Sequence, residues 1–232
     1  MNLLPLIAFA GMAQLPEPVL WLRSDGRITI EGVVVKPIFS PGTTVIKTRD
    51  GAAFDFSGPR SGILLGDVPA LRLTESFTVS TWLNLRQYVT DGPGAQILFR
   101  GDDRCGHDPF TLVIHGNGTV NFSVQNDEDR GIHTTAEIPL NSWHHVLGNF
   151  DTATGRLQLY VDGTLMAFTT TSIRPFANLD QGQAPGVSVG NVQNEKGVHN
   201  QPFNGRIADL RVYRGIFTPV DIGLGGQVDP PK

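Results

Sequence analysis

The sequence predicts an all-β protein, a two-sheet antiparallel β-sandwich with one short helical turn near its C-terminus. Short runs in which apolar and polar residues alternate are spread along the whole chain. Turn-forming dipeptides separate these runs, and the 27 glycines and 16 prolines are dispersed as punctuation rather than gathered in one block. Long runs with helical periodicity do not occur. These observations favour strands joined by tight turns.

Residues 142–165 predict two strands joined by one turn and followed by a second turn. Leu157, Leu159 and Val161 alternate with polar residues, which is the pattern of a half-buried strand. Gly155 lies in the first turn, where it is free to take a positive φ. The second turn is predicted at Asp162-Gly163, because both central residues of a type I′ turn need φ > 0.

Other apolar, β-branched runs predict the remaining strands. They cover residues 19–22, 28–35, 43–46, 77–83, 97–100, 110–115, 119–124, 186–190 and 203–213. Pro37 and Pro41 confine the residues between them to a loop or a sheet edge. Near the end of the chain, Thr218 is a suitable N-cap, Pro219 suits the first helical position, and Asp221 follows three residues after the cap. This spacing predicts one short helical turn.

The chain divides into an N-terminal segment, residues 1–16, and a single domain, residues 17–232. Leu3 to Met12 is apolar, and Ala8-Phe9-Ala10 resembles a signal-peptidase site. However, Pro5 interrupts the run and no basic residue precedes it, so an apolar arm that packs on the domain or on a neighbour is the alternative. The run is too short to span a bilayer, and no membrane span is expected.

The charge balance bears on the class of partner. The chain carries 18 basic and 22 acidic side chains, a formal net charge of −4. Proteins that bind nucleic acid carry clustered lysines and arginines, and no such cluster is present. The sequence therefore argues against a nucleic-acid partner.

Two charged loops are the candidate ligand-binding sites. The first follows the predicted strand 97–100, and its acidic side chains could supply oxygen ligands around the bend at Gly106. The second follows strand 119–124 and would lie beside the first if the strands are neighbours. The candidate residues are Arg100, Asp102, Asp103, Asp108, Asp127 and Asp129. The alternative is a surface cluster in which arginines neutralise the aspartates.

The sequence does not predict an enzyme. A glycosidase on a sandwich of this kind needs two carboxylates on one face of a strand. In Asp127-Glu128-Asp129 the acids are adjacent, so successive side chains would point to opposite faces. No arrangement of histidines and Cys105 has zinc-site spacing, and no nucleophile motif is present.

The aromatic residues offer a thin platform for stacking a sugar. The expected core-facing aromatics are Trp21, Trp82, Trp143, Phe54 and Phe122. The aromatics expected to be exposed are Tyr88, Phe110 and Phe176. Aromatic residues make up only 8% of the chain, which weakens a lectin interpretation without removing it.

Several segments, taken in order, resemble one family. Residues 52–58 read AAFDFSG, residues 77–82 read FTVSTW, residues 143–163 contain W-x-H-V followed by L-x-L-Y-V-D-G, and residues 205–213 read GRIADLRVY. They resemble the laminin-G-like, concanavalin A-like jelly rolls from about Val19 to Ile222. By this resemblance the fold is a concanavalin A-like jelly roll, residues 17–232 are one laminin-G-like domain, and His145 is a buried hydrogen-bonding residue.

The resemblance also implies a structural Ca²⁺ that ties an early loop to the last strand. The matching positions are Asp25 and Asp209, with main-chain carbonyls completing the shell. Asp209 bonded to Arg211 or to the backbone is the alternative.

The jelly roll identifies function less well than fold, because it hosts lectins, adhesion domains, virion parts and some hydrolases. We expect a non-catalytic recognition module that binds glycans or cell-surface polymers outside the cell. The alternative is a structural protein of a virion or surface layer, which contacts other copies of itself or other structural proteins. A glycoside hydrolase is the third interpretation.

Overall fold

A computed structural model describes residues 15–49, 51–89, 94–128 and 131–223. These residues form an all-β sandwich, as predicted. Within these ranges the helical content is limited to two short 3₁₀ turns, Pro69–Leu71 and Gly197–His199. Two antiparallel sheets, here called the front sheet and the back sheet, contain all the strands of these ranges.

The front sheet has ten strands. They are β1 (Leu20–Leu22), β2 (Ile28–Ile30), β3 (Val33–Val35), β5 (Thr43–Thr48), β6 (Gly51–Phe56), β8 (Phe77–Leu85), β13 (Trp143–Asp151), β14 (Arg156–Val161), β15 (Thr164–Thr170) and β17 (Gly205–Arg214). The back sheet has seven strands. They are β4 (Ile38–Phe39), β7 (Ile63–Gly66), β9 (Ala95–Gly101), β10 (Phe110–Ile114), β11 (Thr119–Gln125), β12 (Gly131–Glu137) and β16 (Gly186–Val189).

The last strand, β17, organises the front sheet. One edge of β17 pairs with β8, while the other pairs first with β6 and then with β1. The main strand order is β15-β14-β13-β8-β17-β1-β2-β3, and β6 and β5 continue the sheet beside the first half of β17. The back sheet has the order β12-β11-β10-β9-β16-β7-β4. Strands β13, β8 and β17 therefore lie in the middle of the front sheet.

The predicted turns are present. Asp162 and Gly163 have φ values of 48° and 79°, as a type I′ turn requires, and Gly155 has φ 69°. The run 28–35, predicted as one stretch of strand, is divided into β2 and β3 by a turn with positive φ at Glu31 and Gly32. The segment between Pro37 and Pro41 contains β4, an edge strand of the back sheet. This agrees with the position that the prolines predicted.

The main hydrophobic core lies between the two sheets. Phe77 of β8 stands at its centre, with ring centroids of Phe110, Phe122 and Phe150 at 5.0, 5.9 and 6.0 Å. The expectation that Phe110 is exposed is wrong, since its side chain is completely buried. Phe110 pairs with Val124 of β11, which also faces the core. An aromatic residue beside a charged loop thus belongs to the core.

The segment predicted as a C-terminal helical turn forms a single hydrogen-bonded turn that does not extend into a helix. Asp221 N donates to Thr218 Oγ1 at 3.3 Å, and Thr218 N donates to the Asp221 carboxylate at 2.7 Å. Ile222 N then donates to Thr218 O at 3.3 Å. This is the reciprocal capping that the spacing predicted.

Candidate ligand-binding face

The three tryptophans lie on the outer face of the front sheet, here called the front face. The expectation that they face the core is therefore wrong. Trp21 alternates with the core residues Leu20 and Leu22, so its side chain points away from the core. Trp82 is likewise out of phase with Leu83, and it packs with Trp143, Ala53, Ala208 and Ile46 in a separate small cluster on the front face.

A row of four residues crosses the front face at one end of the sheet; we call it the tryptophan row. Strand register places Trp143 opposite Asn84, Asn84 opposite Arg206, and Arg206 opposite Asp55. Directly opposed side chains share a face and stand close together. Trp143 is half-buried, and the Asn84 amide makes no hydrogen bond to any described residue. The row therefore combines an accessible indole with an amide and charged groups.

Two arginines hold Asp55 at the end of the row. Arg86 Nη2 donates to Asp55 Oδ1 at 2.5 Å, and Arg206 Nε donates to the same oxygen at 3.2 Å. Next to Arg86 a cavity of about 290 Å³ opens, lined by Gln87, Tyr88 and Asn204 among others. Hydrogen-bonding groups thus continue from the sheet into the loops at this end.

His145 supports the centre of the front face. Its side chain is 3% exposed, Nε2 lies 2.9 Å from Ser80 Oγ, and its ring makes an edge contact with Trp82 at 5.3 Å. Burial lowers the pKa of His145 to about 3, with Asp162 raising the pKa and Arg211 lowering it. The ring is thus neutral at physiological pH. This confirms the buried, hydrogen-bonded role expected from the resemblance.

Trp21 belongs to a second polar group on the same face. Its Nε1 donates to Asp209 Oδ1 at 2.7 Å, and Arg211 binds both carboxylate oxygens at 2.8 and 2.7 Å. The guanidinium carbons of Arg23 and Arg211 lie 4.0 and 4.7 Å from the Trp21 ring centroid. Because cations already contact this ring, Trp21 is less free to stack on a ligand than Trp143.

The segment after β17 covers the opposite end of the front face. Phe217 N donates to Thr78 Oγ1 at 3.0 Å, and Asn149 Nδ2 donates to Phe217 O at 3.1 Å. The Phe217 ring packs on Tyr213 with centroids 5.1 Å apart. Thr78, Asn149 and Tyr213 are consequently buried. This segment leaves the tryptophan row as the more open end.

The predicted calcium ligands are bound by arginines. Asp209 is bound by Arg211 and Trp21 as described, and Asp25 accepts from Arg27 at 2.8 and 2.5 Å. These hydrogen bonds lower the pKa of Asp25 to about 2. Across the ranges that the structure describes, no three His, Cys, Asp or Glu side chains form a group that could hold a metal ion. A cation at either aspartate would have to displace a guanidinium, and the calcium site stays a prediction.

The first charged loop is built around buried Asp102. Its carboxylate accepts from Arg104 Nε at 2.9 Å, Arg104 Nη2 at 2.7 Å and Asp180 N at 2.9 Å. Burial opposes ionisation, but these hydrogen bonds lower the pKa of Asp102. Arg100 is completely buried and donates to the carbonyls of Phe176 and Ala177. Both residues hold the loop and the 176–180 segment together. The Arg104–Asp102 pair is of the kind that the alternative interpretation expected, whereas Arg100 is buried and bound to carbonyls.

The second loop lies beside the first, as the sequence suggested. Asp127 lies 3.8 Å from Arg104 Nη1 and 3.4 Å from His107 Nδ1. Asp103 accepts from Asn194 Nδ2 at 3.0 Å, and Asp108 N donates to Gln125 Oε1 at 3.2 Å. Asp129 lies outside the described residues. The loops form a charge-paired rim, and ligand binding there remains a prediction.

No described helix has the length and apolar character needed to cross a membrane. A search of curated proteins finds no match. Solved structures match over most of this chain, and this chain spans about half the length of several of the structures that it matches.

The botulinum neurotoxin serotype G binding domain is 10% identical with a TM-score of 0.67, and the match covers 89% of this chain and 50% of that chain. The serotype D ligand-binding domain in complex with N-acetylneuraminic acid is 14% identical with a TM-score of 0.66, covering 90% and 51%. Domain 4 of AbnA, an extracellular arabinanase from Geobacillus stearothermophilus, in complex with arabinotriose is 21% identical with a TM-score of 0.56, covering 81% and 82%. At these identities the likeness concerns the fold.

A family model described as the concanavalin A-like lectin/glucanases superfamily, Laminin_G_3, matches residues 57–223. The matched range includes β8, β13 and β17, which carry most of the front face. The chain belongs to the concanavalin A-like lectin/glucanase superfamily, as a laminin-G-like jelly roll.

Proposed function

We propose that the chain is a non-catalytic glycan-binding module that acts outside the cell, with the tryptophan row as its binding surface. The observation that carries this proposal is the half-buried Trp143 at the open end of the front face, in register with Asn84 and Arg206. Two structures with the same fold, named above, hold N-acetylneuraminic acid and arabinotriose. They support a sugar ligand as the first one to test.

The chemistry of the row suits a sugar. An indole presents a large, rigid apolar surface at little conformational cost, and the C–H face of a pyranose ring is its natural partner. The Asn84 amide offers both donors and an acceptor, and Arg206 offers further donors to ring hydroxyls. Because Arg86 and Arg206 hold the Asp55 carboxylate, it is positioned before any ligand arrives.

The charge state of the carboxyl groups supports binding without catalysis. Glycoside hydrolysis requires a carboxylic acid whose pKa is raised so that it can protonate the leaving group. Four described carboxyl groups instead have lowered pKa values: Asp25, Asp102, Asp151 and Asp221. On the front face, Asp55 and Asp209 both form ion pairs with arginines.

The proposal is tested by screening the purified protein against immobilised glycans and titrating the best binder by calorimetry. We expect Trp143→Ala to weaken binding by about fivefold to 150-fold, since a stacked aromatic contributes roughly 1–3 kcal/mol. The matched control is Phe168→Ala, which removes another exposed aromatic from the front sheet, on edge strand β15. Absence of any glycan binding, or equal affinity of Trp143→Ala and wild type, would refute the proposal.

An exposed apolar edge favours a second candidate function, a building block of a virion or surface layer. Strand β3 forms an edge of the front sheet and β4 an edge of the back sheet. Val33 is 68% exposed and Ile38 is 67% exposed. Open apolar edges of this kind promote association between copies. Light scattering after gel filtration tests it: Ile38→Lys should dissociate an assembly that the control Val198→Lys leaves intact.

A further inference from the structure

The charged side chains of the front face occur in groups. Three arginine–aspartate groups lie between Trp143 and the β1–β2 turn: Arg86 and Arg206 around Asp55, Arg211 on Asp209, and Arg23 and Arg27 around Asp25. Arg23 also lies 4.0 Å from Glu17, and beyond Trp143 the Asp162 carboxylate contacts His144 Nδ1 at 2.7 Å and His145 N at 2.8 Å. The face as a whole is therefore close to balanced, but in the group that belongs to the tryptophan row two arginines share one aspartate.

Arg206 has hydrogen-bond donors that no described residue uses. Its side chain is 46% exposed, and only its Nε donates to a described residue, at 3.2 Å from Asp55 Oδ1. Its two terminal nitrogens make no hydrogen bond within the described residues. A guanidinium fork with two free nitrogens matches the two oxygens of a carboxylate. Arg86 differs, because its Nη2 is shared between Asp55 and Gly205 O.

The distance between Arg206 and Trp143 follows from the spacing of the strands. They lie two strands apart, with Asn84 of β8 between them. Neighbouring strands are about 4.8 Å apart, so their backbones are separated by roughly 10 Å. Long side chains shorten that gap. A sugar stacked on Trp143 therefore brings its own substituents, or the next sugar of the chain, to the Arg206 fork.

Resting on the proposed glycan-binding function, we propose that the tryptophan row selects glycans that carry carboxylates, and that Arg206 is the residue that recognises the carboxylate. Uronic acids and sialic acids share this chemistry. The contact of Asp55 Oδ1 with Arg206 Nε restricts the arginine side chain and leaves its two terminal nitrogens available to a ligand. The ring surface binds to Trp143, and the acidic group supplies the specificity.

The test uses an array of matched pairs, in which each carboxylated oligosaccharide has a neutral counterpart: oligogalacturonides with galactans, and sialyllactose with lactose. We expect the carboxylated members to bind at least tenfold more tightly, and the preference to fall as salt rises. The strongest binder and its neutral counterpart are then titrated against Arg206→Gln. This variant should weaken binding of the carboxylated member at least tenfold more than it weakens binding of the neutral member, so that the preference is lost. Arg72→Gln, an arginine paired with Asp67 away from the front face, is the matched control and should behave as wild type.

The outcomes separate the two proposals. Equal binding of neutral and carboxylated members, or an unchanged preference in Arg206→Gln, overturns the acidic selectivity while leaving glycan binding in place. Polyglutamate that binds as tightly as the best acidic glycan also overturns it, because charge alone would then explain the preference. An array on which nothing binds overturns both proposals. Loss of binding to the neutral member in Trp143→Ala, with the acidic preference lost in Arg206→Gln, supports both.

Discussion

Folding stability should fall between pH 7 and pH 5 because His145 resists protonation in the folded protein. Burial lowers its pKa from 6.5 to about 3, whereas the unfolded chain binds the proton near pH 6.5. Below that pH the unfolded state binds more protons than the folded state, so acid favours unfolding. This difference in proton binding lowers the free energy of unfolding by about 2 kcal/mol at pH 5. The loss reaches about 5 kcal/mol once the folded protein also takes up the proton near pH 3.

Urea unfolding at pH 7, 6 and 5 measures this loss. The substitution His145→Gln retains a group that can reach Ser80 and removes the titration. Its free energy of unfolding should be lower at pH 7, because packing on Trp82 is disturbed. Between pH 7 and pH 5, however, it should lose about 2 kcal/mol less than wild type. The Asp25 carboxyl has a pKa of about 2, so its protonation lowers the stability only below pH 5. An identical pH slope in both proteins, or a His145 imidazole resonance that titrates near pH 6.5, would refute the reasoning.

Three further predictions concern the core, the centre of the sheet and the metal. Phe77→Ala should lower the unfolding free energy by about 4 kcal/mol in urea titrations, because it empties the centre of the core. Gly148→Ala should cost about 1–3 kcal/mol, since its Cβ would meet the Phe122 ring at 2.7 Å, while exposed Gly182→Ala should change little. If calcium binds, the melting temperature should be higher in Ca²⁺ than in EDTA, because a hundredfold excess of calcium over Kd adds about 2.7 kcal/mol to the free energy of unfolding. Asp209→Asn should abolish this difference, and equal melting temperatures of the wild type in Ca²⁺ and EDTA would exclude the site.

The sequence predicted the strands and turns of the fold more completely than it predicted the residues of the front face. Local patterns suffice for strands and turns, because alternation and the Asp162-Gly163 pair act over a few residues. The outward position of Trp82 was also present in the pattern, since it is out of phase with Phe77 and Leu83. Large aromatic residues are generally buried, which favoured a core position for Trp82. A side chain can, however, be largely buried on the outer face of a sheet.

Contacts between distant strands could not be predicted from local patterns. Trp21 and Asp209 are 188 positions apart, and their hydrogen bond depends on a bulge in β17 where Asp209 takes φ 49°. Arg206 and Asp55 are 151 positions apart, and they meet because β17 pairs with β6. Predicting charge pairs across a sheet requires the strand order, which local patterns do not reveal.

The position of β17 in the chain has a consequence for biosynthesis. It is the last described strand to leave the ribosome, yet β1, β6 and β8 all pair with it. Until residues 205–214 have emerged, these three strands have open edges, and the nascent front sheet consists of separate parts. Such long-range pairing slows folding and leaves intermediates that are prone to aggregate. The front sheet can thus be completed only after β17 has been translated, and its edges stay open to wrong pairing until then.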